Sequence, residues 1–187
     1  MIKRTFLLTT LAALSMAIAG CAAEGPANQD ARRRSIDANV DLALSSLFEK
    51  TKGSKELVQQ AKGVLVFPDV VAAGLVIGGS HGDGALRTGS RTAGYYSTSS
   101  TSVGLIAGAQ SKAVFVLFLT DDALARFRAS DGWTAGADAS IAAASVGISG
   151  AIDTQTARTP VVGFVLSNGG LMADLSLEGT KVKKLDL

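Results

Sequence analysis

The chain has 187 residues, 47% of them hydrophobic and 18% charged, with 21 Gly, one Trp, one Cys and one His. At about 100–200 residues per domain that suits one compact folded domain, and it is too apolar for intrinsic disorder. A single Cys excludes an intrachain disulfide, one Cys and one His cannot form a zinc set, and a formal charge of +2 lacks the basic excess of nucleic-acid binders. No cofactor, metal or nucleic-acid partner is therefore expected.

Lys3 and Arg4 precede a charge-free stretch from Phe6 to Ala19, the order and length of a secretory signal. The stretch falls short of the roughly 20 apolar residues that a membrane-crossing helix needs. Ile18-Ala19-Gly20-Cys21 then resembles the lipobox of bacterial lipoproteins, in which the Cys receives diacylglyceryl and becomes the mature N-terminus. Ile18 stands where Leu is usual. The resemblance implies a signal peptide over residues 1–20 and lipid attachment at Cys21. Cleavage there leaves 167 residues and removes Lys3 and Arg4, so acidic and basic residues balance. Two or more acyl chains anchor a protein stably without help from its surface. Ala22 at the next position implies the outer membrane of a bacterial cell envelope, with the domain facing the periplasm.

Residues 22–34 are small and polar, and with Cys21 they read as an acylated, flexible tether, with order beginning near Ser35. Ile36, Val40, Leu44 and Leu47 recur at helical spacing, predicting an amphipathic helix that ends near Lys52-Gly53, with Leu47 and Phe48 in the core. Ser54 reads as the cap of a second helix through Lys62. From Gly63 the pattern changes to apolar runs broken by Gly, at 64–67, 70–77, 85–91, 93–98, 102–109 and 113–119, which predict antiparallel strands. Asp121 and Asp122 open a short helix through Arg128. The Ala- and Gly-rich stretch 131–150 leans toward strands. Val161–Leu166 and Leu171–Leu177, joined through Asn168-Gly169, read as a hairpin, and Lys181–Leu187 closes the sheet.

The predicted fold is α+β, with N-terminal helices packed on a strongly curved, mainly antiparallel sheet or barrel-like core. So many Gly and Ala in strands permit close backbone approach.

The segment Ala61 to Pro68 (A-K-G-V-L-V-F-P), Ala73-Gly74, and Gly78 to Leu86 (G-G-S-H-G-D-G-A-L) resemble the opening of the SYLF, or Ysc84-like, domain family. Further matches are Gly94-Tyr95-Tyr96-Ser97, Val114–Leu119, Phe127, Gly136–Ser140 and Ser167–Gly179. Tyr95 stands where the family commonly has Trp, and Ala144-Ser145-Val146 where many members read Gly-Pro-Val. The resemblance runs from Ser35 to Gly179 and implies a domain over residues 35–187 of a bacterial lipoprotein that binds phospholipid by headgroup or acyl chain, without catalysis. In eukaryotic members, basic residues near the domain start bind phosphoinositides. Arg32, Arg33 and Arg34 occupy that region here and are the candidate headgroup-binding residues, close to the acyl anchor. The alternative is an envelope scaffold for a protein or polymer partner.

Gly78-Gly79-Ser80-His81-Gly82 matches the G-x-S-x-G elbow of serine hydrolases, but the chain's one His lies inside the elbow, where it cannot serve as a separately placed base. A glycine-rich turn between two strands is the expected alternative. Asp83, Asp138, Asp153 and Asp174 read as turn-capping or hydrated carboxylates rather than an acid/base pair. The lysines at 50, 52, 55 and 62, and at 181, 183 and 184, read as solvated faces. Trp133 reads as a lid on the barrel in preference to an exposed interfacial aromatic.

Overall fold

The computed structural model describes residues 26–74, 77–103, 110–143, 159–167, 170–172 and 179–187. Its elements are α1 (Pro26–Lys50), α2 (Ser54–Gln60), β1 (Gly63–Gly74), β2 (Ile77–Thr88), β3 (Arg91–Val103), β4 (Gln110–Phe118), α3 (Asp121–Ala129), β5 (Trp133–Thr134), β6 (Ala142–Ala143), β7 (Val161–Ser167), β8 (Gly170–Met172) and β9 (Lys181–Leu185). The fold is α+β, as expected from the sequence.

The strands form one sheet in the order β5-β9-β3-β2-β1-β4-β7-β6, with β8 paired to β7. Among the described residues the seven longer strands all pair antiparallel, and only the two-residue β6 runs parallel to its neighbour. Successive strand residues face opposite sides of a sheet, so each face can be followed along β1. Val64 and Val66 join Phe115, Leu117, Val162, Phe164 and Leu166 under Ile36, Val40 and Leu47 of α1 and Leu57 of α2. Leu65 and Phe67 join Val116, Phe118, Val161 and Val165 against Leu124 and Phe127 of α3. The second cluster also holds Val182 of β9 and Tyr96 of β3. Strands far apart in the sheet order thus share one apolar cluster, which requires the sheet to curl into a half-barrel around α3 and Trp133.

Side chains tie α1 down as well. Arg87 on β2 donates to Asp41 Oδ1 at 2.7 Å and to Thr92 Oγ1 at 2.7 Å, and Thr92 donates in turn to Asp37 Oδ1 at 2.7 Å. Tyr95 donates to the other Asp37 oxygen at 2.9 Å. The Arg87 side chain is only 13% exposed, so this network satisfies a cation held largely out of water.

Four expectations require correction. Order does not wait for Ser35: the helix begins at Pro26, within the segment read as a tether. Pro suits a first helical turn, and the Ala, Gln and Arg residues that follow are good helix formers even without an apolar stripe of their own. Ser54 is not a cap. Gly53, at φ +82°, holds that position, while the buried Ser54 hydroxyl donates to the carbonyls of Thr51 and Leu47 and joins the two helices. The runs at 64–67 and 70–77 do not form two strands: β1 carries the first run and most of the second to Gly74, with a bulge at Pro68-Asp69, and β2 starts afresh at Ile77.

The glycine-rich stretch 78–82 is the fourth correction, because it lies inside β2 rather than in a turn. A Cβ on Gly82 would stand 2.6 Å from the Asp69 carbonyl oxygen, and one on Gly84 would overlap the Val66 carbonyl and the Phe67 ring. The β1 bulge presses its backbone against β2, and glycine is what fits beneath it. In the stretch 131–143 the strands are limited to β5 and β6, and residues 144–158 lie outside the described residues. The hairpin is present, with Leu166 opposite Leu171 and Ser167 opposite Gly170, while the expected strand beyond Met172 falls largely outside the described residues.

Gly84→Ala is expected to cost about 3 kcal/mol, an overpacking cost that no flexible side chain can relieve, read as a lower denaturant midpoint. Gly79→Ala serves as control, since its Cβ meets only the Ser100 carbonyl at 3.8 Å; a loss there as large as at Gly84 would contradict the close-approach account.

The two tyrosines supply a pH signature. Burial raises both hydroxyls above their ordinary value of 10.0, and at Tyr95 the hydrogen bond to Asp37 adds to the effect. The unfolded chain therefore loses these protons first, so their stabilising contribution is complete below pH about 10 and falls away above it. Lys112, lowered by burial, acts in the opposite sense on net stability, which makes tyrosinate absorbance the cleaner readout. Both tyrosines should ionise above 10 in the native protein and near 10 in denaturant, and Asp37→Asn should bring Tyr95 down.

Candidate functional site

Cys21 lies outside the described residues. The three candidate arginines stand on consecutive positions of α1 and so point in different directions. Arg32 faces β2, where its Nε and Nη2 donate to Asp83 Oδ2 at 3.2 and 2.7 Å. Arg33 donates to Asp30 Oδ1 at 3.1 Å, one turn back on the same helix. Arg34 is exposed. The structure therefore assigns Arg32 to fastening the first turns of α1 and does not gather the triplet into one cationic surface.

Ser80 and His81 are neighbours on β2 and face opposite sides of the sheet. The Ser80 hydroxyl lies 2.7 Å from that of Ser100, its partner in the ladder, and His81 is 68% exposed with Nε2 3.6 Å from Asp83 Oδ1. Nothing here builds an elbow. Asp138 behaves as a turn cap, accepting from the Thr134 backbone N–H at 2.6 Å. Asp153 and Asp174 lie outside the described residues. Of the basic faces, Lys62 makes an ion pair with Asp121 at 3.7 Å. Among the described residues no group of three His, Cys, Asp or Glu side chains could hold a metal ion.

Trp133 is 4% exposed and packs edge-on against Phe118 and Phe127, with ring centroids 6.2 and 5.6 Å away. Tyr96 and Phe118 in turn lie 5.0 and 4.8 Å from Phe127. This aromatic stack belongs to the core cluster beneath the curled sheet, so Trp133 is not an exposed interfacial aromatic. Above it opens a cavity of about 600 Å³. Trp133, Ala123, Ala139, Pro160 and Val161 give it apolar walls, while Thr120, Ser130 and Ser140 supply hydroxyls. Its rim carries Asp122, Arg126 and Asp138. The cavity is larger than the 470 Å³ space beside α2 or the 360 Å³ groove along α1. Its size and its mainly apolar lining with a few polar groups are those of small-molecule sites.

Local sequence explains much of this arrangement. Thr120 caps α3 by accepting from the Ala123 N–H, and Asp121 and Asp122 suit the positive end of the helix. Arg126 follows Asp122 by one turn and donates to it, and this partner raises the guanidinium above its ordinary value. That Asp-Arg spacing was available in the sequence as a signal. Its placement over Trp133 was not, because Pro160 and Val161 reach the same cavity from a distant part of the chain.

Residues 99–186 match the family model described as Ysc84: Las17-binding protein actin regulator. This is the domain family expected from the sequence, found over just under half of the chain. The matched part begins in β3 and contains α3, the aromatic stack apart from Tyr96, and every residue lining the Trp133 cavity, whereas Arg32–Arg34 precede it. No curated protein matches the chain. The Ysc84 match supports a binding role at most, and among the described residues the Trp133 cavity lies wholly within the matched part.

Because Arg32 is a fastener, Arg32→Ala is expected to cost about 1 kcal/mol and to speed amide exchange in the first turns of α1. Arg34→Ala should stay within about 0.5 kcal/mol of the parent. Equal effects of the two changes on stability and exchange would contradict the assignment.

Proposed function

We propose that this protein is a non-enzymatic lipoprotein, held on a bacterial envelope membrane through acylated Cys21 and facing the periplasm, whose folded part binds a phospholipid. The observation that carries the reading is the Trp133 cavity: apolar walls suited to an acyl or glyceryl portion meet a rim of charged groups suited to a headgroup. The lipobox-like Ile18–Cys21 sequence and the Ysc84 match over residues 99–186 support it from independent directions. The site requires no chemistry from the protein; burying each methylene of a ligand contributes about 0.8 kcal/mol.

Arg32–Arg34 play a minor part in this reading, since Arg32 and Arg33 already have carboxylate partners. The acyl anchor supplies membrane residence, and the domain is left to recognise one lipid rather than a charged surface.

The experiment uses protein beginning at Ala22, which lacks any acyl group, and vesicles of mixed bacterial phospholipids. The protein should float with the vesicles, and the emission of its single Trp should change as lipid enters. Ala139→Phe, which fills the cavity, should weaken binding about tenfold, or 1.4 kcal/mol. Absence of flotation over a broad lipid panel, with one stoichiometric envelope partner recovered by crosslinking, would overturn the lipid reading in favour of a scaffold.

A further inference from the structure

Among the described residues, the charges around the cavity mouth do not balance. Asp122, Arg126 and Asp138 all line it and all are exposed, so two carboxylates face one guanidinium. Arg126 donates to Asp122, which offsets its charge. The two side chains are 74% and 69% exposed, so the pair is weak and the guanidinium is free to turn to a phosphate. Asp138 accepts the Thr134 N–H through Oδ2, and among the described residues it makes no ion pair. Among the described residues, the unbalanced charge at the mouth is therefore the negative charge of Asp138, held in place by its backbone bond. A headgroup with net negative charge would meet that carboxylate as a like charge. One that carries an ammonium beside its phosphate would find Asp138 for the first and Arg126 for the second.

We propose that the Trp133 cavity selects a zwitterionic, amine-bearing phospholipid headgroup over an anionic one, with Asp138 receiving the ammonium and Arg126 the phosphate. The proposal rests on the phospholipid reading of the same cavity and adds the class of lipid. Selection of this kind comes from rejecting the wrong charge as much as from attracting the right one. Both groups stand in water at the rim, so the preference is modest and weakens with salt.

The test uses the full chain, purified in a non-ionic detergent and titrated with short-chain phosphatidylethanolamine or short-chain phosphatidylglycerol, with the emission of Trp133 as readout. The parent should bind the ethanolamine lipid several-fold more tightly at low salt. Asp138→Asn keeps an acceptor for the Thr134 N–H and should remove that preference, Asp138→Lys should reverse it, and Arg126→Gln should weaken both lipids. A parent that binds phosphatidylglycerol as tightly as phosphatidylethanolamine, or a preference unchanged in Asp138→Asn, would overturn the selectivity while leaving phospholipid binding intact. If neither lipid alters Trp133 emission, both the selectivity and the phospholipid reading of the cavity fall. Glycerophosphoethanolamine added alone separates headgroup from chain: competition by it supports headgroup recognition, and indifference to it in a protein that binds the ethanolamine lipid counts against Asp138 as the ammonium partner.

Discussion

Burial of β1, β4 and β7 on both faces governs the rest of the molecule. A sheet with two apolar faces needs a cover on each, and this chain supplies them from different places: α1 and α2 from its beginning, α3 and Trp133 from its middle. Val64 and Val66 look one way and Leu65 and Phe67 the other, so a slip of one residue in β1 would exchange the two covers' partners. The bulge at Pro68-Asp69 ends this doubly buried part of β1, and Gly82 and Gly84 let β2 lie beneath it at a distance no side chain would allow. Curl, cover and glycine content are consequences of the same packing requirement.

Much of the fold was legible because the dominant signals are periodic. Ile36, Val40 and Leu47 mark the buried stripe of α1, and β-branched runs mark the central strands. What sequence could not separate was two uses of the same residue. Glycine serves equally for a turn and for a close backbone approach, and only the position of β1 decides that Gly82 and Gly84 do the second. The first turns of α1 were missed for a different reason. They bury little, and they are held by a partner fifty-one positions away, Asp83, that no local pattern announces.

The site divides along the same line. Thr120, Asp122 and Arg126 are local to α3, and their capping and one-turn pairing follow from spacing alone. Trp133 reads from the sequence as a lid in preference to an exposed aromatic, and it lies buried against Phe118 and Phe127. The cavity itself depends on Pro160 and Val161 meeting that ring, and on Asp138 being turned by its bond to the Thr134 N–H. Those are properties of the assembled sheet, whose curl brings β9 and β7 to one aromatic cluster.

Charge ties anchor and domain together in the proposed function. A peripheral protein that finds its membrane through its own surface needs unpaired cations, each adding on the order of 1 kcal/mol near anionic lipid. Here Arg32 and Arg33 are committed to Asp83 and Asp30, and Arg87 to Asp37 and Asp41. Such pairing leaves a weak field, which would be a handicap for a surface binder. It would be no handicap for the proposed lipoprotein, whose attachment would rest on acyl chains at Cys21. A domain relieved of holding the membrane can carry a carboxylate such as Asp138 at the mouth of its binding cavity, where a protein dependent on anionic lipid would be repelled by its own ligand.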